Sequence, residues 1–503
     1  MRHNRSMVLS MRSSQACALL VAPFLGLGGF AGPVAAQEEV TVKSLAPPDY
    51  FSSPAADTGI GGDLWKDTAP DIMRDVLPKL GGPKPLSPAF ARLAKRLLST
   101  GANGPAGVGD NVEMGAQRAL ALITLGEAQG ANTILDRATG AAGSSALSMA
   151  TAEAALLAGD DDKACRTQDA LTVDRGGAYW LRLRAFCQMK AGQNDPAQLT
   201  FQLAQQATKD ADYGRLMGAT LAGTAPGAAN LKNGVNYALS RHLNLDIQSS
   251  AAVASASPAL KPLIKASGDL SGVSSGADLT AREASDLAFL RQAKTLSAFV
   301  EAAQASAVSI ATLAAAGGPL QDPVLMARAS LAAGDVASAQ AIRGRLVQDS
   351  IPGATAVDLA VLDALIAAAQ VGVNGGKVDN QVLGNLVARG ASGGPKSPAQ
   401  PAAALLASLG GSLDPDARAQ FAAFDLGKSV ASPARMQVME DAGAAKRKGE
   451  AGLLALSIAV DSGATGPIPA DRARIARALN RAGLPADARA IVVEGLLGLA
   501  FTK

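Results

Sequence analysis

The chain has 503 residues, 46 basic against 43 acidic, and is 48% hydrophobic with only 3% aromatic side chains. A chain this long and apolar can bury a large core, but its Ala, Leu, Val and Ile side chains each contribute modest area, so stability rests on many shallow contacts. The formal charge of +3 resides in the first 36 residues, which hold three Arg and no acid; the balanced remainder removes the electrostatic case for nucleic acid or anionic lipid.

Residues 1–36 read as a secretory signal. Arg2, Arg5 and Arg12 form a basic n-region, residues 18–30 an apolar core, and Val34, Ala35 and Ala36 a small-residue run before a cut expected at Gln37. The apolar core is broken by Pro23 and several glycines and is shorter than the roughly 20 residues a membrane span needs. There is no twin-arginine pair, and Cys17 precedes the apolar core. The expectation is therefore Sec-type export of the unfolded chain to the periplasm or beyond, without a lipid anchor and without a cofactor loaded in the cytoplasm. No integral span is expected after cleavage; the best remaining stretch, 354–373, carries Asp358 and Asp363 in its interior.

Residues 37–62, rich in Pro, Ser and Gly, predict a disordered lead-in or an extended arm. Residues 63–110 predict one helical hairpin and a connector. Ile72, Val76 and Leu80 recur at helical spacing, and after Gly81, Gly82 and Pro83 a second helix begins at Ser87 and Pro88, a natural cap and a natural first residue. Phe90, Leu93, Leu97 and Leu98 give that helix one apolar face, and 103–110 is a Gly-rich connector.

Residues 111–248 carry a repeat. Gly126, Gly159 and Gly192 are spaced 33 residues apart, each with Ala seven positions before (Ala119, Ala152, Ala185) and five after (Ala131, Ala164, Ala197). The same spacing recurs at Ala327, Gly334 and Ala339 and at Ala476, Gly483 and Ala488; it is also met around Gly101, Gly214 and Gly495, where the flanks do not support a hairpin. Small residues midway along one helix and early in the next, about a turn glycine, resemble the tetratricopeptide repeat, with Phe201 and Ala204 extending the match in the third unit. Trp180 lies one place early and Lys209 stands where that pattern has Pro. The lead-in around Asp63, Leu64 and Trp65 and the Ser87 helix also resemble uncharacterised exported Ala-rich helical proteins of Gram-negative bacteria, a likeness that implies no activity. The tetratricopeptide resemblance implies an all-α, TPR-like α-solenoid of helical hairpins in two arms, with a concave face for a protein or peptide partner. That face would comprise Gln117 and Leu120, then Met149, Glu153 and Leu156, then Tyr179, Arg182, Phe186 and Lys190; the family's Lys, Asn and Arg clamp for a peptide carboxylate is not assembled. Leu156 and Phe186 read equally well as ordinary core.

Residues 249–278, rich in Ala, Ser, Gly and Pro, predict a linker with at most a short helix at 259–266. Residues 279–503 predict a second helical array. It begins with a long helix from Leu279, capped by Thr280 and striped by Leu287, Leu290, Ala293, Leu296 and Val300. Helices follow near 323–331, 336–347, 356–369 and 380–388, then a linker at 390–401, then helices at 402–409, 415–426, 433–448 and 451–460, and a last pair over 469–501. No stretch reads as a strand. The apolar end of that pair, from Ile491 to Phe501, lacks the polar outer face of a terminal cap, so it is expected to dock on the first arm or on another copy.

The chemistry is sparse. His242 is the one histidine after the signal, at an expected helix end where it would bond the last carbonyls or, alternatively, serve as a base. Residues 272–276 fit G-x-S-x-G but lack the strand, helix and downstream His that a nucleophile elbow needs. Asp160, Asp161 and Asp162 lack the spacing of a calcium loop and read as a helix N-terminal cap. Lys446, Arg447 and Lys448 read as a solvated helix end. Cys165 and Cys187 are symmetric about Gly176, in the turn between two antiparallel helices, which predicts a disulfide. No cofactor, metal site or catalytic set is expected. The functional expectation is an exported scaffold or adaptor for protein partners, with an envelope hydrolase or a self-associating structural protein as alternatives.

Overall fold

A computed structural model describes residues 49–82, 84–261, 276–346, 354–394 and 397–501. The expected signal, residues 37–48 of the lead-in, the centre of the 249–278 linker and residues 272–275 of the G-x-S-x-G match lie outside these. The described residues are all-helical, with no strand among them.

The N-terminal hairpin is α1 (Pro70–Leu80) and α2 (Pro88–Ser99), each opening on a proline whose fixed φ suits the first helical turn. Three hairpins follow: α3 (Val112–Thr124) with α4 (Ala128–Leu135), α5 (Ser145–Ala158) with α6 (Asp161–Ala170), and α7 (Ala178–Lys190) with α8 (Asn194–Ala207). Next come α9 (Ala211–Ala222), α10 (Gly234–His242) and the short α11 (Ser250–Ser255). The later part comprises α12 (Gly276–Gln292), α13 (Leu296–Ala316), α14 (Pro323–Ala333), α15 (Val336–Gly344), α16 (Ala356–Gln370) and α17 (Asn380–Ser392). It ends with α18 (Ala399–Ala407), α19 (Pro415–Ala422), α20 (Pro433–Ala444), α21 (Lys448–Ser462), α22 (Pro469–Ala482) and α23 (Pro485–Gly498).

All five expected turn glycines are helix-terminating turns. Gly126, Gly159, Gly192, Gly334 and Gly483 have φ of 88°, 85°, 75°, 89° and 93°, the left-handed region that costs other residues a steric penalty. In each, the next residue's amide reaches back five positions: Glu127 to Leu122, Asp160 to Ala155, Gln193 to Gln188, Asp335 to Ser330 and Leu484 to Leu479, at 2.8–2.9 Å. All ten flanking alanines are fully buried, because a methyl group is what lets two helices cross closely beside so tight a turn. The other three matches are not turns of this kind: Gly101 lies in the connector after α2, and Gly214 and Gly495 lie inside α9 and α23. A sixth turn of the same build joins α20 to α21, where Lys446 takes φ 58° and the Arg447 amide donates to the Ala442 carbonyl at 2.9 Å. The expected solvated end at 446–448 is therefore the turn itself, and Lys448 Nζ binds both Asp63 carboxylate oxygens at 2.9 Å.

Three boundaries differ from expectation. α12 already includes Gly276, so Thr280 lies inside the helix rather than capping it, and the expected stripe from Leu287 to Val300 crosses a break at which Thr295 caps α13 by accepting from the Ala298 amide at 3.2 Å. α13 is also the described helix long and apolar enough to cross a membrane, in place of 354–373. Its Phe299, Ala302, Ala303, Ser306, Ile310 and Leu313 form a buried row at three- and four-residue spacing, the pattern of a helix laid along a core. The 390–401 linker is shorter than expected, since α17 continues to Ser392 and α18 begins at Ala399.

The described residues form two apolar clusters, one centred on α5–α10 and the other joining α1–α4 to α12–α23. The described residues from 49 on make one compact unit, so the helices before and after the expected linker do not form two separate arms. The reason is a closure between the chain's early and late helices: α1 packs on α21, and α2 packs on α21 and α23. Ile491, Val492, Leu496 and Leu497 are buried where α23 packs on α22, α16 and α2, so the last helix docks in part on the first segment. Ser87 does occupy the N-cap of α2, but its hydroxyl bonds Glu494 of α23 and not its own helix.

Where α20 crosses α22, a Cβ on Gly443 would lie 2.5 Å from the Ala478 carbonyl oxygen and 2.9 Å from its Cα. Gly443→Ala is expected to destabilise by about 1–3 kcal/mol in urea denaturation, the cost of overpacking a rigid crossing. Gly384→Ala in α17, where a Cβ meets nothing within 4 Å, is the matched control and should be neutral or stabilising.

Candidate functional site

Part of the expected concave face is covered by the chain itself. After the third hairpin, α9 and α10 turn back, and α10 packs on α5 and α7. The Gly234 amide at the start of α10 donates to Glu153 Oε1 at 2.6 Å, and a Cβ on Gly234 would lie 2.9 Å from both Glu153 Oε2 and Leu156. Tyr179 donates its hydroxyl to Glu153 Oε2 at 3.3 Å. Arg182 pairs with Asp210 at 3.2 Å and lies 5.5 Å over the Tyr213 ring. Leu156 and Phe186 are buried, as their reading as core requires. Met149 and Leu120 are half-buried against the apolar clusters, Gln117 bonds Glu113 on its own helix, and Lys190 pairs with Asp162 at 2.5 Å. The nine residues thus do not line one open groove: a spacing rule places side chains on the inner helix of each hairpin but says nothing of what later folds over them.

Burial raises the Glu153 carboxyl above its ordinary 4.5, outweighing the Gly234 amide and the Tyr179 hydroxyl, which favour the ion. Burial, then the Glu153 charge, pushes Tyr179 well above its ordinary range. An acid whose pKa is higher folded than unfolded binds more protons when folded, so its contribution falls as pH rises from the unfolded value through the raised one. Glu153→Gln keeps an oxygen for the Gly234 amide and removes the charge. It should match the parent near pH 4 and gain relative to it toward pH 8 in denaturation midpoints; a constant difference across that range would count against a buried titrating Glu153.

His242 is the last residue of α10, exposed, with no side-chain hydrogen bond among the described residues. Asp160 caps α6 by accepting from the Lys163 amide at 2.9 Å, while Asp161 pairs with Arg241 at 2.5 Å, so this acidic run both caps a helix and ties it to α10. No group of acids, His and Cys that could hold a metal is present among the described residues. Cys165 and Cys187 face each other from α6 and α7, with S–S 1.99 Å and Cα–Cα 5.6 Å. They line an open cleft with Arg175, Arg184, Asp169 and Lys190, where burial first and Arg175 second lower the Arg184 pKa.

A second cleft, of about 540 Å³, lies at the closure between early and late helices, and sequence reasoning missed it. One wall is aliphatic: Val300 of α13, Leu331 and Val336 about the Gly334 turn, Ala369 of α16, and Val493 and Leu497 of α23. The other carries charge from α2 and α23, namely Arg92, Arg96, Asp487, Arg489 and Glu494. Asp487 is bound by Arg96, which also donates to the Thr58 carbonyl at 3.1 Å. Glu494 is held by Arg472 at 2.8 Å, and Arg489 donates to the Val371 carbonyl at 2.6 Å. Arg92 is exposed and has no hydrogen bond or ion pair among the described residues. Burial raises the Asp487 carboxyl against the pull of Arg96. Arg92 and Arg96 stand one helical turn apart, a signal readable in sequence, but nothing in the sequence joins them to Arg489. No family model matches the chain, and comparisons with curated proteins and with solved structures returned no match.

Proposed function

We propose that the chain is an exported scaffold of TPR-like helical hairpins that binds a protein partner in the periplasm or outside the cell. Three features support this. The first 36 residues have the build of a Sec signal; a cysteine pair at disulfide distance suits an oxidising compartment; and the glycine turns with buried alanines make stiff antiparallel pairs, a natural frame for a binding surface.

The observation that carries the proposal is on the α7–α8 hairpin. Leu199 and Leu203 are 61% and 45% exposed, one turn apart on α8, and no other leucine among the described residues stands so far into solvent. Their neighbours Ala197, Thr200 and Ala204 are buried, so the pair projects from the outer side of a helix anchored on its inner side, and α7 is tied back by the disulfide. A partner helix or strand would meet an apolar contact there on a backbone that needs no ordering.

A photocrosslinking residue at position 203, in the full chain expressed with its signal, tests the reading in living cells. The expected result is a discrete adduct in the envelope fraction, lost in Leu199→Glu. A chain that stays in the cytoplasm with free thiols, or that yields no adduct beyond background, overturns it.

A further inference from the structure

We propose that the cleft between α2, the α14–α15 turn, α16 and α23 is a binding site for a medium-chain fatty acid, its carboxylate held at Arg92 and Arg489 and its tail laid along the aliphatic wall. The volume of about 540 Å³ falls in the range of about 300–1,000 Å³ usual for small-molecule sites.

Charge decides the head group. Both acids that line the cleft are already matched, Asp487 by Arg96 and Glu494 by Arg472. Arg92 makes no hydrogen bond or ion pair among the described residues, its charge acting on Asp487 only at longer range, and Arg489 is bonded only to a neutral carbonyl. The surplus is cationic, and a planar guanidinium meets a carboxylate through two parallel hydrogen bonds.

The wall decides the tail. Val300, Leu331, Val336, Ala369, Val493 and Leu497 offer no hydrogen-bonding side chain, and Gln304 is the one neutral polar residue of the lining. A peptide entering here would bring backbone amides that must be desolvated without partners, which costs free energy for each group. An acyl chain brings none and gains with each methylene buried. Val373, 47% exposed at the rim, lies two residues from the Val371 carbonyl that Arg489 binds and so flanks the head-group end.

The test is displacement of a fluorescent polyene fatty acid from the full oxidised chain. One saturable site is expected, with dodecanoate competing roughly tenfold better than decanoate, two methylenes being the difference. Dodecanol and a dodecyl ammonium salt should compete poorly. Arg92→Glu should weaken dodecanoate roughly tenfold or more, the loss of one charge-assisted contact, while Arg92→Lys retains most of the affinity. Val373→Asp should weaken it too; both positions are exposed, and an unchanged thermal melt confirms that each variant is folded. Absence of saturable binding, equal competition by dodecanol, affinity indifferent to both substitutions, or an apolar-ended peptide displacing the probe better than dodecanoate would each overturn the site.

Discussion

Glu494→Ala should destabilise the protein by about 3–5 kcal/mol, the loss associated with stranding one partner of a buried ion pair. Glu494 is 3% exposed, on α23. Its Oε1 accepts from the Ser87 hydroxyl at 2.5 Å and from Arg472 at 2.8 Å, and its Oε2 accepts from the Ala89 amide. Glu494 thereby does for α2 what a local cap does elsewhere, from 407 residues away in sequence. Arg472 has nowhere else to place its charge: its remaining donors go to the Pro467 and Thr465 carbonyls at 2.8 Å, and its guanidinium lies 5.6 Å over Phe90. Truncating Glu494 leaves that charge buried and the Ala89 amide in the first turn of α2 unpaired. Glu494→Gln, which keeps the acceptor, should cost less, and pairing Glu494→Leu with Arg472→Met should recover much of the loss because no stranded charge remains. Urea midpoints measure the sizes, and hydrogen exchange at the first turn of α2 locates them; an Ala variant within 1 kcal/mol of the parent would show that the closure does not depend on this carboxylate.

The same device recurs. Glu450, 2% exposed, accepts from the Ala69 amide at the start of α1 at 2.9 Å; Asp471 accepts from the Val430 and Ala431 amides ahead of α20; Glu153 accepts from Gly234 at the start of α10. A core of alanine and leucine offers many nearly equivalent packings, since methyl groups interdigitate in more than one register. A buried carboxylate that must find a particular helix start admits one of them.

These contacts mark the limit of what the sequence discloses. The glycine turns are legible because a left-handed backbone demands glycine and a close crossing demands alanine, both of them local requirements. Lys446 hides a sixth turn by meeting the first requirement with the wrong residue. The break before α13 is hidden because apolar residues continue through it at helical spacing, and only Thr295, an ordinary cap in an ordinary context, marks it. Ser87 is placed correctly and its partner is not, because nothing within helical range of Ser87 points to Glu494. The covering of part of the candidate partner face is hidden for the same reason, since α10 reaches Glu153 across 81 positions. Cys165 and Cys187 were legible despite their separation because antiparallel helices impose a symmetry about their turn that two cysteines can satisfy or violate.

Breaking that bond should have the next largest effect. The loop it closes spans 22 residues, and holding such a loop in the unfolded chain is worth about 3 kcal/mol. Changing both cysteines to serine should lower stability by about that amount, and reduction of the parent should do the same. Serine at Cys165 alone adds a free thiol at Cys187, half-buried and lining an open cleft, and should also yield disulfide-linked dimers under oxidising conditions. Where the loss falls is as informative as its size. The bond joins α6 to α7 within the cluster centred on α5–α10, whereas Glu494 acts in the cluster that joins early helices to late ones. Hydrogen exchange should therefore speed in α6 and α7 and not in α2. Combining the serine pair with Glu494→Ala should give a sum of effects within about 0.5 kcal/mol, as for sites that share no partner. A larger departure from the sum would mean that the two clusters unfold as one, and that α3 to α5, which connect them, transmit strain between the hairpins and the closure.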